Sequence, residues 1–221
     1  MHPILKTRAI GVLFACIAST SSVASPVYFR DRNQFEANVI TAPSVFDFES
    51  VASGYVGTAF SFEGVDVTSA SGLHIRTQAD YATYGYTGNF LSNNGTNSSG
   101  MILRFMQAIS AFGADVGTIM SGSTGSTTVR FVLQGEGWGE TYYYSLNSAQ
   151  GSVEPMRFFG FVSDLPVTSI QISDTRWESL DNISYVKAVQ AVEIPEPTSL
   201  SLAILALIAV SSRSSKLWFA R

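Results

Sequence analysis

Between Val45 and Val186 apolar and polar residues alternate in short runs, and none of these runs shows the three-to-four spacing of an amphipathic helix. Thr127-Thr128-Val129-Arg130-Phe131-Val132-Leu133 sets Val129, Phe131 and Leu133 on one face. Tyr142-Tyr143-Tyr144-Ser145-Leu146 does the same with Tyr142, Tyr144 and Leu146. This period of two predicts half-buried strands. Further strands are predicted over 45–48, 58–62, 65–68, 101–105, 110–116, 158–162, 169–172 and 183–186. Turns are predicted at Gly54, Gly64, Gly72, Asn93–Gly100, Gly122–Gly125, Gly135–Gly139 and Asp164–Pro166. One segment departs from the pattern. Asp31 to Asn38 predicts a short helix, with Asp31 as its cap and Gln34 completing a capping box.

About ten short strands without intervening helices predict an all-β fold, an antiparallel β-sandwich of jelly-roll type. No repeat at a fixed period and no second domain is visible. The 221 residues are 46% hydrophobic and 14% charged, enough apolar material for a sizeable core. The net charge of −4 conceals a partition. Between Pro26 and Val192 lie 15 acidic and 8 basic residues, a body near −7. That balance argues against nucleic-acid binding, which needs a basic surface to displace counterions. Cys16 is the single cysteine and lies in the N-terminal apolar run, so the body has no disulfide, thiol nucleophile or cysteine metal site.

The remaining basic residues sit at the two ends. Residues 1–24 have the parts of a secretory signal peptide: Lys6 and Arg8, then an apolar run over 9–18, then small residues allowing cleavage by signal peptidase after Ala24. An alternative is lipidation of Cys16 in Leu13-Phe14-Ala15-Cys16, where the bulky Phe14 fits poorly. Residues 25–192 form the sandwich domain and 193–221 a tail. In the tail, Pro195-Glu196-Pro197 precedes an apolar run over 200–210 and then Arg213, Lys216 and Arg221. The prolines keep the motif extended. The apolar run can enter the inner membrane as a helix, with the basic end cytoplasmic and the body outside.

This tail resembles a PEP-CTERM sorting domain. The resemblance rests on Pro195, Glu196, Pro197, the apolar run and the basic terminus, about the last 28 residues. It implies an exported protein of a Gram-negative bacterium, recognised by an exosortase and held transiently at the membrane before reaching the cell surface or extracellular matrix, in species that make exopolysaccharide or biofilm. The body resembles a recurrent PEP-CTERM-associated domain similar to carbohydrate-binding jelly rolls. The matching runs are Phe46-Asp47-Phe48-Glu49, Ile109 to Val116, Phe158 to Asp164 and Leu180 to Tyr185. That resemblance implies a structural calcium ion, with Asp47 or Glu49 and Asp181 as ligands, aided by Asn182. Calcium takes six to eight oxygens, so carbonyls or water must complete the set. The competing reading has Asp181 and Asn182 shaping a turn, with Glu49 solvated.

Aromatic residues beside amides and carboxylates supply what glycan binding requires, flat stacking area with hydrogen-bonding partners. Tyr84 and Tyr86 lie in a loop-rich stretch with Tyr81 and Phe90, Trp138 in a Gly-rich turn, and Trp177 after Asp174 and Arg176. The competing reading packs these rings on sheet surfaces. Signals for catalysis are thin. His74 is the only histidine of the body, and alternation in Leu73-His74-Ile75 turns it away from its apolar neighbours. No Gly-x-Ser-x-Gly elbow is present. The expectation is a non-catalytic exported protein, with extracellular polysaccharide as partner. Two alternatives stand beside it: a secreted polysaccharide-acting hydrolase working through a carboxylate pair, and a simple membrane-anchored periplasmic domain.

Overall fold

A computed structural model describes residues 25–81, 87–93, 100–119, 127–146, 156–173 and 177–189. The predicted signal peptide and the Pro195-Glu196-Pro197 tail lie outside the described residues. The chain runs β1 (Val27–Phe29), α1 (Arg32–Asn38), β2 (Ser44–Phe46), β3 (Gly54–Phe62), β4 (Val65–Thr77), α2 (Gln78–Tyr81), β5 (Asn89–Asn93), β6 (Met101–Ile119), β7 (Thr127–Gly135), β8 (Trp138–Leu146), β9 (Arg157–Ser173) and β10 (Trp177–Lys187). All pairings are antiparallel.

Three long strands make the sandwich from one continuous ladder. The first half of β4 pairs with the first half of β6, which pairs with the second half of β9, followed by β7 and β8. This is the first sheet, with the second half of β3 on its edge. The second half of β6 pairs with β10 and with the first half of β9, and β10 continues through β5 to the second half of β4. This is the second sheet, to which β1 and β2 add short edges. Strands that switch sheets need a corner. In β4 the corner holds Gly72 at φ +87, a conformation that a side chain resists. In β9 it holds Pro166, where the ladder between β6 and β9 shifts register and no amide hydrogen is required. Ser163 folds its hydroxyl onto the backbone of Leu165 at the same bend, donating to the carbonyl at 2.8 Å and accepting from the amide at 3.1 Å.

Gly72 and Asp164–Pro166, expected as turns, are therefore bends inside strands, and four predicted strands merge into β6 and β9. Val27–Phe29 and Asn89–Asn93 are strands that alternation did not reveal, the first too short and the second carrying a run of polar residues. The helix forms where expected. Asp31 Oδ1 accepts from the Gln34 amide at 2.9 Å. Further along the helix, Asn38 Nδ2 donates to the Gln34 carbonyl at 2.8 Å.

The main core fills the space between the sheets. From the first sheet come Val65, Val67, Met101, Leu103, Val129, Phe131, Leu133, Ile170 and Ile172; from the second come Leu73, Ile75, Leu91, Phe112, Val116, Phe159, Phe161 and Leu180. Phe131 stacks on Phe159 with ring centroids 3.8 Å apart. A second, smaller cluster lies on the outer side of the second sheet, where α1 lays Phe35 against Phe29, Ala111 and Phe158.

Candidate functional site

The acids singled out from the sequence meet on the outer face of the second sheet, beside the small core under α1. Asp181 of β10 is the direct cross-strand partner of Asp115 of β6. A β-bulge follows Asp181, and Asn182 occupies it at φ +47, a conformation that asparagine tolerates better than most residues. The bulge turns the Asn182 side chain back over the acids. Its Nδ2 donates to Asp115 Oδ2 at 2.8 Å, and its backbone amide donates to Asp181 Oδ1 at 2.7 Å. From α1, Arg32 pairs with Asp115 Oδ1 at 3.0 Å and donates to the Asn182 carbonyl at 3.3 Å. The guanidinium rests on the Phe158 ring, 4.6 Å from its centroid. That ring lies flat over Gly113 and Gly160, where any Cβ would overlap it.

Asp47 and Glu49 approach from the segment after β2. Glu49 Oε1 accepts from the Asn89 amide at 2.9 Å and fills the space a Cβ at Gly88 would need. Asp47 Oδ1 accepts from the Glu49 amide at 3.2 Å. Burial pushes the Asp181 carboxyl up to about 7; the Asn182 amide opposes the rise, while the charges of Asp115, Glu49 and Asp47 add to it. Only 5% of Asp181 is exposed.

The carboxylates thus converge electrostatically without forming a coordination shell. Among the described residues no three His, Cys, Asp or Glu side chains are arranged to hold a metal ion. Asp47, Glu49, Asp115 and Asp181 each already have an oxygen bound by a protein donor. Asp47, Glu49 and Asp181, expected as calcium ligands, are here held by protein donors rather than grouped as one ligand set. Sequence reasoning missed two members of the network, Arg32 and Asp115. Alternation held a signal for the second, because Asp115 falls between the inward Ala114 and Val116.

The aromatic candidates fare differently. Tyr84 and Tyr86 lie outside the described residues. Trp177 opens β10 opposite Ile119. Trp138, expected in a turn as a stacking platform, is the first residue of β8 and packs against the edge of the main core. Its ring covers Gly135, and its N–H donates to the Pro166 carbonyl at 3.2 Å. These contacts take up one face and the only donor of the indole. His74 points outward as expected, 5.1 Å from the Tyr55 ring, and its Nε2 has no hydrogen-bond partner among the described residues. Burial, then the neighbouring Arg76, lowers its pKa, so the ring is neutral at pH 7.

The outer face of the first sheet offers a broader surface. Register places Ser61, Asp66, Arg104, Ser169, Gln134 and Gly139 in one row across six strands. A second row reads Ala59, Thr68, Ile102, Gln171, Val132 and Thr141. Beyond it Arg130 stands between Ser173 and Tyr143. Tyr143 is 62% exposed. No described helix packs on this face.

The described body is thus an antiparallel β-sandwich. No protein-family model matches the chain, and no curated protein matches it. Among solved structures it is similar to the CBM22-1–GH10 modules of endo-1,4-β-D-xylanase 10B from Clostridium thermocellum, complexed with xylohexaose. There the identity is 10% over 66% of this chain and 30% of that one, with a TM-score of 0.37. It is also similar to the CBM22-1 xylan-binding domain of Xyn10C from Paenibacillus barcinonensis, at 15% identity over 68% of this chain and 100% of that one, with a TM-score of 0.34. The chain thus spans about 30% of the length of the first of these.

Proposed function

We propose that this chain is a non-catalytic, exported surface or matrix protein whose sandwich binds glycan. In this reading the Pro195-Glu196-Pro197 tail is sorted by an exosortase after brief residence in the inner membrane. The observation that supports glycan binding is the open face of the first sheet. It is six strands wide, and it offers hydroxyls, the amides of Gln134 and Gln171, and the exposed Tyr143 in register. A sugar chain requires this combination, an aromatic surface flanked by fixed polar partners. Tyr143→Ala is expected to weaken retention on polysaccharide affinity gels without changing the fold. Retention equal to wild type would remove the support. For the tail, intact peptides through Arg221 in extracellular protein would refute sorting with removal.

One observation favours a second reading, a secreted polysaccharide hydrolase. Asp181, at about 7, stands directly across the ladder from Asp115, which Arg32 holds in an ion pair. Two carboxyls with different environments are what acid–base hydrolysis of a glycoside uses. Against it, Asp181 is buried and already accepts the Asn182 amide. Release of reducing ends by the wild type, abolished in Asp181→Asn, would establish this reading and overturn the first.

A further inference from the structure

Two arginines on the open face of the first sheet set its charge apart from the rest of the body. The body is acidic, 15 acids to 8 bases. Yet the outward positions of β6 and β7 carry Arg104 and Arg130, both exposed, and neither guanidinium has a hydrogen-bond, ion-pair or ring partner among the described residues. The one acid in the rows between them, Asp66, accepts from the Ser61 hydroxyl at 2.6 Å rather than pairing with Arg104 across the ladder. In the register, Arg104 and Arg130 are two strands and four residues apart, a diagonal of about 16 Å at ordinary sheet spacings. Gln171 lies at the middle of the diagonal, Gln134 stands to one side of it in the row of Arg104, and Tyr143 stands beside Arg130.

We infer that this face binds an anionic polysaccharide, a polymer with carboxylate-bearing sugars, laid along the diagonal from Arg104 to Arg130. The inference rests on the glycan-binding reading above and narrows it. A guanidinium presents a planar fork that matches a carboxylate, and it is more weakly hydrated than an ammonium, so it exchanges water for an anion readily. Two forks at a fixed separation select a polymer that repeats its charge, since a single acidic sugar reaches only one. Tyr143 and the two amides give the polymer's uncharged surface something to meet, which a bare counterion does not need.

The test is affinity electrophoresis of the body through gels containing polygalacturonate or its fully methyl-esterified form. Wild type is expected to be retarded by the acid polymer and not by the ester, with the retardation fading as salt rises. Arg104→Gln with Arg130→Gln should weaken it by roughly tenfold or more. Arg104→Lys with Arg130→Lys should restore only part of it. Lys187→Gln, on β10 of the other sheet, should leave it unchanged. Equal retardation by acid and ester, or full retardation of the double Gln variant, overturns the anionic site while leaving glycan binding standing. Equal capture by vesicles of acidic phospholipid also overturns it, because the face would then be reading charge alone. Absence of retardation by these polymers and by xylan and cellulose derivatives overturns glycan binding itself.

Discussion

The two outer faces of this sandwich are built from strands of the same chain, some of them from two halves of one strand, yet they are finished in opposite ways. The outer face of the second sheet is roofed at one end by α1, with Phe29, Phe35, Ala111 and Phe158 beneath it. Next to this roof lies a charge network in which Arg32, Asp115, Asp181 and Asn182 satisfy one another. Among the described residues no helix covers the outer face of the first sheet, and neither Arg104 nor Arg130 has a side-chain partner there. Groups that satisfy one another hold a fold, and groups that lack partners are available to a ligand. Under the proposed function, one face serves stability and the other recognition.

The largest expected effect tests the roofed face. Phe35 is fully buried between α1 and the sheet, with its ring 5.4 Å from that of Phe158. Phe35→Ala removes the main apolar anchor of a helix of only 7 residues, too short to persist alone. The loss should be about 3 kcal/mol in denaturant unfolding. A loss below about 1 kcal/mol would mean that α1 is an ornament and the contrast between the faces is false.

A smaller effect tests the network. Arg32→Met keeps the contact with the Phe158 ring and removes the ion pair with Asp115 and the bond to the Asn182 carbonyl. Both partners of the pair are about a quarter exposed, 28% and 24%. The expected loss is therefore about 1 kcal/mol. It should shrink as salt screens the pair, which a series of unfolding curves at rising ionic strength would show.

How much of this was legible in advance follows from what each feature depends on. Strands such as Thr127–Gly135 show themselves because one face meets the core and the other water, which writes a period of two into the chain. The corners at Gly72 and Pro166 carry the same residues as turns, and only the pairing of both flanks with the same neighbours tells a bent strand from a hairpin. Asp47, Glu49 and Asp181 were visible as acids near the first and last strands. The donors that hold their oxygens, the amides of Asn89, Asn182 and Glu49, are set by the fold, which no spacing records. The open face was invisible for a related reason. Arg104, Gln134, Gln171 and Tyr143 come from four strands, and register alone makes them neighbours.

Asp181→Asn should act in the opposite sense to the two changes above. The Asp181 carboxyl rises from 3.8 to about 7 on folding. The folded state therefore holds a proton that the unfolded state releases between those values, and stability falls as pH climbs from about 4 to about 7. The amide variant keeps the shape and the bond from the Asn182 amide but carries no charge. It should gain roughly 1 kcal/mol over wild type at pH 8 and nothing at pH 3.5, after discounting the full shift for local relaxation. Millimolar calcium provides the counter-test. If the ion raises the melting temperature of wild type and not of Asp181→Asn, the carboxylates rearrange into a cage, and the network is a cation site.

The smallest stability effect is expected on the open face, and its smallness is the point. Tyr143 is exposed and its strand β8 is an edge of the first sheet. Tyr143→Ala removes cross-strand contact with Arg130 but opens no cavity, so the change should stay within about 0.5 kcal/mol. A residue that matters only for stability would lose little and alter nothing else. The proposed role requires a dissociation: polysaccharide retention falls while the unfolding curve barely moves. If retention and stability instead decline together, Tyr143 belongs to the fold, and the open face loses its stacking surface as a reason to bind sugar.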